Sequence, residues 1–364
     1  MTPTNGRVCV IGAGIFGLSV AWAARRRGFS VRLIEARAVA AGASGGVVGA
    51  LSPHVPDQWN PKKQFQLEAL SSAAEHWRQI DAVSGIDSGY GRTGRLMPLA
   101  SAATAELAAA RAADADRNWG SVAKWNVIPD HSLVPHRAAP FGMVFETLSA
   151  RIFPRRACLS LAEALRRSGV EITENTAADA VSCGRVSTRS GDIHAEYIVL
   201  AAGVQGFDLM APLLGEHAGQ GVKGQAALLH ADLPRGSPVL FDNGVYVIPH
   251  ADGTVAVGST SENTYQTADT TDHQLDALLR NARNLCPHLS GAQVVARWAQ
   301  ARPKARRRDP MLGPIAGHPG VFVATGAFKI GFGIAHKVGE AVVDMLAGTD
   351  PAIPQSFGVE HHLE

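Results

Sequence analysis

The 364-residue chain carries 34 Lys and Arg against 32 Asp and Glu, a formal net charge of +2, and is 46% hydrophobic but only 18% charged. That balance excludes an intrinsically disordered chain and a general polyanion binder, and the length suggests about two domains. No uncharged apolar stretch offers a membrane span, and the four cysteines (9, 158, 183 and 286) show neither a CxxC pair nor a Cys–His metal spacing, so we expect reduced thiols in a cytoplasmic protein without bound metal.

The first elements form the clearest pattern. "RVCVI" is a short apolar strand, "LSVAWAARRRG" has helical spacing with a stop at Gly28, and "SVRLIEAR" is a second strand. The turn between the first strand and the helix reads Gly12-x-Gly14-x-x-Gly17, and Glu35 ends the second strand. Gly12 permits a tight turn, Gly14 lets a pyrophosphate approach the backbone, and Gly17 lets helix and strand pack closely. The helix N-terminus offers N–H groups to phosphate, and Glu35 can accept from a ribose 2′-OH. These features predict a dinucleotide site. The apolar run from Val8 to Ala24 lacks the basic start of a secretory leader, and its glycines belong to that site.

Residues 38–53, "AVAAGASGGVVGALSP", have no helical face, so such a loop can run close along a ligand. Helices are predicted over 62–80, where Phe65, Leu67, Leu70, Ala74 and Trp77 lie on or near one face, over 104–117, and over 155–168 with Gly169 as the stop. "EYIVLAAGVQG" predicts a buried parallel strand. Residues 222–260 then alternate as strands with Asn-Gly and Asp-Gly turns, which predicts antiparallel hairpins, and a helix follows over 272–285. Five cations crowd residues 302–308. Lys304, Arg306, Arg307 and Arg308 are expected as solvated loop cations that steer small anions. The chain closes on strand, glycine-rich turn and helix, with Gly326, Gly331 and Gly333 ahead of a helix beginning near Ile334. A helix N-terminus there can stabilise the anion of a reduced flavin at its N1–C2=O edge, which a nicotinamide does not need. The pattern implies an α/β fold: a discontinuous Rossmann-like FAD-binding domain (1–80, 150–220 and 300–364) and an inserted antiparallel α+β substrate domain (81–149 and 221–299).

These motifs resemble the glycine oxidase / D-amino acid oxidase family of FAD-dependent amine oxidoreductases over most of the chain. The resemblance rests on the glycine turn, Gly42-Ala43-Ser44, Gly49-Ala50-Leu51, Val222-Lys223-Gly224-Gln225 and Tyr246 to Pro249. It continues with Val257-Gly258-Ser259-Thr260, Trp298 to Pro303, Pro310 to Gly313 and "TGAFKIGFGIA". The chain departs from the family pattern at Gln205 (often Trp), Ala327 (often His), Lys329 (Arg) and Ile330 (Asn). The resemblance implies FAD held by Gly12, Gly14, Ile15, Phe16, Gly17, Glu35, Ala36, Arg37, Ala43, Ser44, Gly45, Gly46, Gly49, Ala50 and Leu51. From the second half of the chain it adds Ala178, Ala202, Gly203, Gly326, Lys329, Gly331, Phe332, Gly333 and Ile334.

It also implies the chemistry. Arg302 takes the position of the residue that binds a substrate carboxylate, a task suited to a planar fork of donors. Tyr246 takes the position of an active-site tyrosine, Lys329 sits in the motif beside the flavin, and His54 follows the flavin-side loop. The expected substrate is a small anionic amino or imino acid. N-substituted glycines come first and glycine or D-amino acids next, with hydride transfer to flavin N5, imine hydrolysis to a 2-oxo acid and O2 as acceptor with release of H2O2. No nucleic-acid or membrane partner is expected. Two other readings stay open: an FAD subunit of a larger complex, and an oxidase of a carboxymethylaminomethyl-modified tRNA base.

Overall fold

The computed structural model describes residues 6–363. The chain opens with β1 (Arg7–Ile11), α1 (Ile15–Arg27) and β2 (Ser30–Ile34), then β3 (Ala50–Leu51) and α2 (Pro61–Ser84). Next come β4 (Arg95–Pro98), α3 (Ala102–Asn118), β5 (Trp125–Ile128), β6 (Met143–Glu146), β7 (Ala150–Arg151) and α4 (Pro154–Arg167). They are followed by β8 (Glu171–Thr173), β9 (Ala178–Ser182), β10 (Arg185–Thr188), β11 (Gly191–His194), β12 (Tyr197–Leu200) and α5 (Gln205–Leu214). The remainder is β13 (Gly219–His230), β14 (Val239–Asp242), β15 (Val245–Pro249), β16 (Thr254–Gly258), α6 (His273–Leu285), β17 (Gln293–Ala305), β18 (Met311–Pro314), β19 (Val321–Thr325) and α7 (Gly331–Leu346).

Local chemistry sets several boundaries. α1 ends at Gly28, whose φ of 100° suits a residue without Cβ, and Arg25, Arg26 and Arg27 oppose the negative end of its dipole. α2 runs longer than its apolar stripe predicts. The Asn60 side chain accepts from Lys63 N at the start, Pro61 takes the first helical position, and the stop is Gly85 at φ 73°. α7 starts at Gly331, earlier than expected, so Gly331 and Gly333 belong to its first turn.

Two large sheets organise the chain. A six-stranded sheet has the order β18-β19-β12-β1-β2-β8 and is parallel except for the β18–β19 pair. An eight-stranded sheet has the order β17-β13-β16-β15-β14-β4-β6-β5, with only β14–β4 parallel. Strands β4 to β6, the small β9–β11 sheet and β17 were not legible as strands. β17 also corrects the reading of residues 302–308. Arg302 and Lys304 lie on this strand, paired with Val222 and Gln220 of β13, and only Arg306, Arg307 and Arg308 follow it as exposed residues. Arg306 is ion-paired with Glu216.

The eight-stranded sheet has two unlike faces because strand side chains alternate. Leu96, Leu240, Val245, Val247, Val255 and Val257 pack on one face with Leu275, Leu279 and Ala282 of α6. The opposite face presents Arg95, Phe241, Tyr246, Trp298, Gln300 and Arg302 to a cavity.

α1, α2, α4 and α7 share a core cluster with residues of the six-stranded sheet. Where α2 meets α7, His76 stacks on His336 at 4.8 Å between ring centroids, and Ser72 Oγ lies 2.9 Å from His336 Nε2. Burial pushes His76 down to about 4 and His336 to about 3. Both rings are therefore neutral in the fold, whereas the unfolded chain takes up protons below about 6.5. Stability from this pair is fully present above that value and is lost as pH falls from there toward the folded values. For the buried His336 the loss at pH 5 is roughly 2 kcal/mol. Denaturant titrations of wild type and His336→Gln at pH 7.5 and pH 5.0 test this. The variant is expected to lose less stability on acidification, and an equal loss in both proteins would remove His336 as a cause.

Candidate active site

The carboxyl ends of four neighbouring parallel strands open into one cavity of about 850 Å³: Gly12 follows β1, Glu35 follows β2, Ala202 and Gly203 follow β12, and Gly326 follows β19. Ligands of open α/β sheets bind at this edge. At the first turn, Gly12 has φ 109°, and a Cβ there would lie 2.6 Å from Ala201 O. Ser44, on a short turn over Ala43–Gly45, accepts from Ile15 N at 3.0 Å and so holds the 38–53 loop against the start of α1. Glu35 accepts from Ala13 N at 2.8 Å and from Arg37 N at 2.9 Å. Its carboxylate is thereby fixed on the cavity wall, where each oxygen keeps a further lone pair for a hydroxyl. These residues fit a dinucleotide: a bare backbone turn, a helix N-terminus and an anchored acid converge on one space.

Of the residues expected around the cofactor, Gly12, Gly14, Ile15, Phe16, Glu35, Ala36, Arg37, Ala43, Ser44, Gly46, Gly49, Ala50 and Leu51 line the cavity. So do Ala178, Ala202, Gly203, Gly326, Lys329, Gly331, Phe332 and Gly333. Three do not. Gly17 faces the Gly12 carbonyl, Gly45 faces the Ala40 carbonyl, and Ile334 is buried in the core.

The other wall comes from the eight-stranded sheet and carries Arg302 and Tyr246. Arg302 Nη1 donates to Ser259 Oγ at 2.7 Å and Nη2 to Thr260 O at 2.7 Å, with Lys223 O at 3.4 Å. A guanidinium has five N–H donors, so this clamp leaves some for a ligand. Behind it, Thr260 Oγ1 donates to Glu262, which also accepts from Gln225 Nε2 at 3.0 Å. Lys223 Nζ lies 3.8 Å from both Glu262 and Asp272. Burial pushes Arg302 down to about 10, opposed by Glu262, so it remains a cation at neutral pH. Lys329 is lowered by burial first, then by Arg302 and Arg308. Arg302 Cζ, Lys304 Nζ and Lys329 Nζ lie 5.3, 5.9 and 5.4 Å from the centroid of the Phe328 ring, which concentrates positive charge on this side of the cavity. The Tyr246 ring packs 4.5 Å from Phe241, and its hydroxyl makes no hydrogen bond to the described residues.

His54 also lines the cavity. Gln66 Oε1 accepts from His54 N at 2.8 Å and lies 2.6 Å from Nδ1, while Gln66 Nε2 donates to Ser52 O. That arrangement puts the ring proton on Nδ1 and leaves Nε2 as an acceptor. Burial is the largest influence on His54 and lowers it, so the ring is neutral at neutral pH.

Four wall residues escaped the sequence reading, Arg95, Gln66, Phe241 and Tyr265, while Ser259, Trp298 and Gln300 stood in quoted motifs without an assigned place at the site. The available signal for Arg95 was a charge alternating with Leu96 in a short apolar run, "RLMP". Trp298 and Gln300 lie at two-residue spacings from Arg302, which marks one strand face once β17 is known.

A family model described as FAD dependent oxidoreductase matches residues 7–345. The chain is 29% identical to the glycine oxidase of Pseudomonas aeruginosa, covering 95% of this chain and 96% of that protein. It is 27% identical to the glycine oxidase of Geobacillus kaustophilus, covering 98% and 97%. Among solved structures, the Geobacillus kaustophilus glycine oxidase superposes with a TM-score of 0.86 at 22% identity, covering 98% of this chain and 99% of that one. Iminodiacetate oxidase from Chelativorans sp. BNC1 superposes with a TM-score of 0.84 at 21% identity, covering 97% and 98%. With nearly its whole length matched by that model and this cavity at the carboxyl edge of its parallel strands, the chain belongs to the family of FAD dependent oxidoreductases.

Proposed function

We propose that this enzyme oxidises the C–N bond of a small amino or imino acid, with N-substituted glycines as first choice and glycine or D-amino acids next. The observation that carries the reading is Arg302, a cation clamped by Ser259 and Thr260 on the cavity wall that the eight-stranded sheet supplies. Its remaining donors hold the substrate carboxylate, and the unpaired Tyr246 hydroxyl donates to the same group. Fixing the carboxylate fixes the adjacent C–H and nitrogen. Neutral His54 offers Nε2 to the proton of a substrate ammonium, which leaves the nitrogen lone pair available. When bound, FAD supplies the two-electron acceptor for the hydride that leaves carbon. Water would hydrolyse the released imine to a 2-oxo acid and an amine, with O2 as the final acceptor of the electron pair and H2O2 as its product. The name of the Chelativorans neighbour, iminodiacetate oxidase, supports an N-substituted glycine, and the names of the curated relatives support glycine itself.

The test is anaerobic mixing of the purified yellow protein with sarcosine, iminodiacetate, glycine and D-alanine while absorbance near 450 nm is followed. Bleaching by at least one of them is expected, and a flavin that none of them reduces overturns the reading. No cysteine lines the cavity among the described residues, so the flavin is expected to be held without a thioether. Acid precipitation should leave the colour in the supernatant, and a yellow pellet would contradict this.

A further inference from the structure

At the end of the sheet wall away from Arg302 stands a second buried cation. Arg95, on β4, is 4% exposed and lines the cavity. Its Nε lies 3.0 Å from Glu146 Oε1, and its Nη2 donates to Pro53 O at 3.3 Å. Nη1 has no partner among the described residues. Glu146, fully buried, accepts from Leu148 N at 2.8 Å, Ser149 N at 3.0 Å and Ser149 Oγ. This carboxylate is held by its own loop and lies in ion-pair contact with Arg95, whose buried Nε makes no hydrogen bond to the described residues. A buried ion pair of this kind is no cheap packing device, since apolar residues of equal volume often serve stability as well.

The wall between the two arginines is aromatic. Arg95 Cζ lies 5.8 Å from the Phe241 ring centroid, and Phe241 packs on Tyr246. Tyr246 pairs with Gly258, and the next residue, Ser259, bonds Arg302. One guanidinium therefore reaches toward β14 and the other toward the end of β16. Arg95 stands on β4 and Arg302 on β17, with β14, β15, β16 and β13 between them.

From this we propose that Arg95 is a specificity-determining residue that binds a second carboxylate of the substrate, so that the enzyme prefers dicarboxylic amino or imino acids. The α-carboxylate lies on Arg302, the chain crosses Phe241 and Tyr246, and the distal carboxylate takes the open Nη1 side of Arg95. The substrate class rests on the amine-oxidation reading above, whereas the anion preference of the site does not.

The test uses the flavin-loaded protein and two inhibitors that differ only by a terminal carboxylate, butyrate and glutarate, titrated through the flavin spectrum. Wild type is expected to bind glutarate at least tenfold more tightly. In the double variant Arg95→Gln, Glu146→Gln, which leaves no lone buried charge, the two dissociation constants should come within threefold of each other while flavin stays bound. Arg95→Lys keeps the charge without the fork and should retain only part of the preference. Wild type that binds butyrate as tightly as glutarate overturns the proposal whatever the variants do, and so does a full preference surviving in the double variant. If amines bleach the flavin but no diacid preference appears, the anchor fails and the oxidase reading stands. If glutarate selectivity depends on Arg95 but no amine bleaches the flavin, the anchor stands and the oxidase reading fails.

Discussion

Arg302→Ala should leave FAD bound and lower kcat/KM for the best amino acid substrate by roughly 30- to 1000-fold, the equivalent of about 2–4 kcal/mol for a charge-assisted pair in a partly buried site. Most of the loss should appear in KM if the carboxylate contact is equally strong in the ground and transition states, and in kcat if it also sets the angle of the reacting C–H. Arg302→Lys should recover only part of the loss. An ammonium supplies charge but cannot donate to Ser259 Oγ, Thr260 O and a ligand carboxylate in one plane. Removing the guanidinium also leaves Thr260 O without that donor, so the variant needs a flavin stoichiometry and a melting curve beside its kinetics. An Arg302→Ala protein with full flavin and unchanged kcat/KM would remove the carboxylate role.

The first βαβ unit was readable because each of its residues answers a local demand: a turn at Gly12, a close contact at Gly17, an acid at Glu35. The hairpins of β14 to β16 were readable for the same reason, through Asn243-Gly244 and Asp252-Gly253. What escaped was decided by partners far away in the chain. β17 reads as a basic loop because its cations have no visible reason to be extended until β13 pairs with it across about eighty residues of sequence. β4 and β6 are four residues each and lack strong turn signals, and Arg95 and Glu146 explain each other only when those strands lie side by side. The Arg302 position came from a motif, but its clamp on Ser259 and Thr260, with the Glu262, Gln225 and Lys223 network behind it, is a product of the sheet.

Gly17→Ala should yield a protein that purifies colourless and melts at least about 5 °C below wild type. A Cβ at this position would lie 1.9 Å from the Gly12 carbonyl oxygen and 3.4 Å from the Ala201 side chain. The obstacle at 1.9 Å is backbone and cannot rotate away, so α1 must lift from β1. That movement displaces Ile15 N from Ser44 Oγ and Ala13 N from Glu35, the contacts that shape the dinucleotide end of the cavity. The flavin itself stabilises the folded chain by mass action, so its loss should deepen the fall in melting temperature, and added FAD should restore only part of it. Gly291→Ala is the matched control, because its added Cβ meets nothing within 4 Å, and it should stay within about 0.5 kcal/mol of wild type with full flavin. A Gly17→Ala protein that is as yellow and as heat-resistant as the control would show that α1 and β1 separate without cost. The glycine spacing would then no longer explain how this fold holds its cofactor.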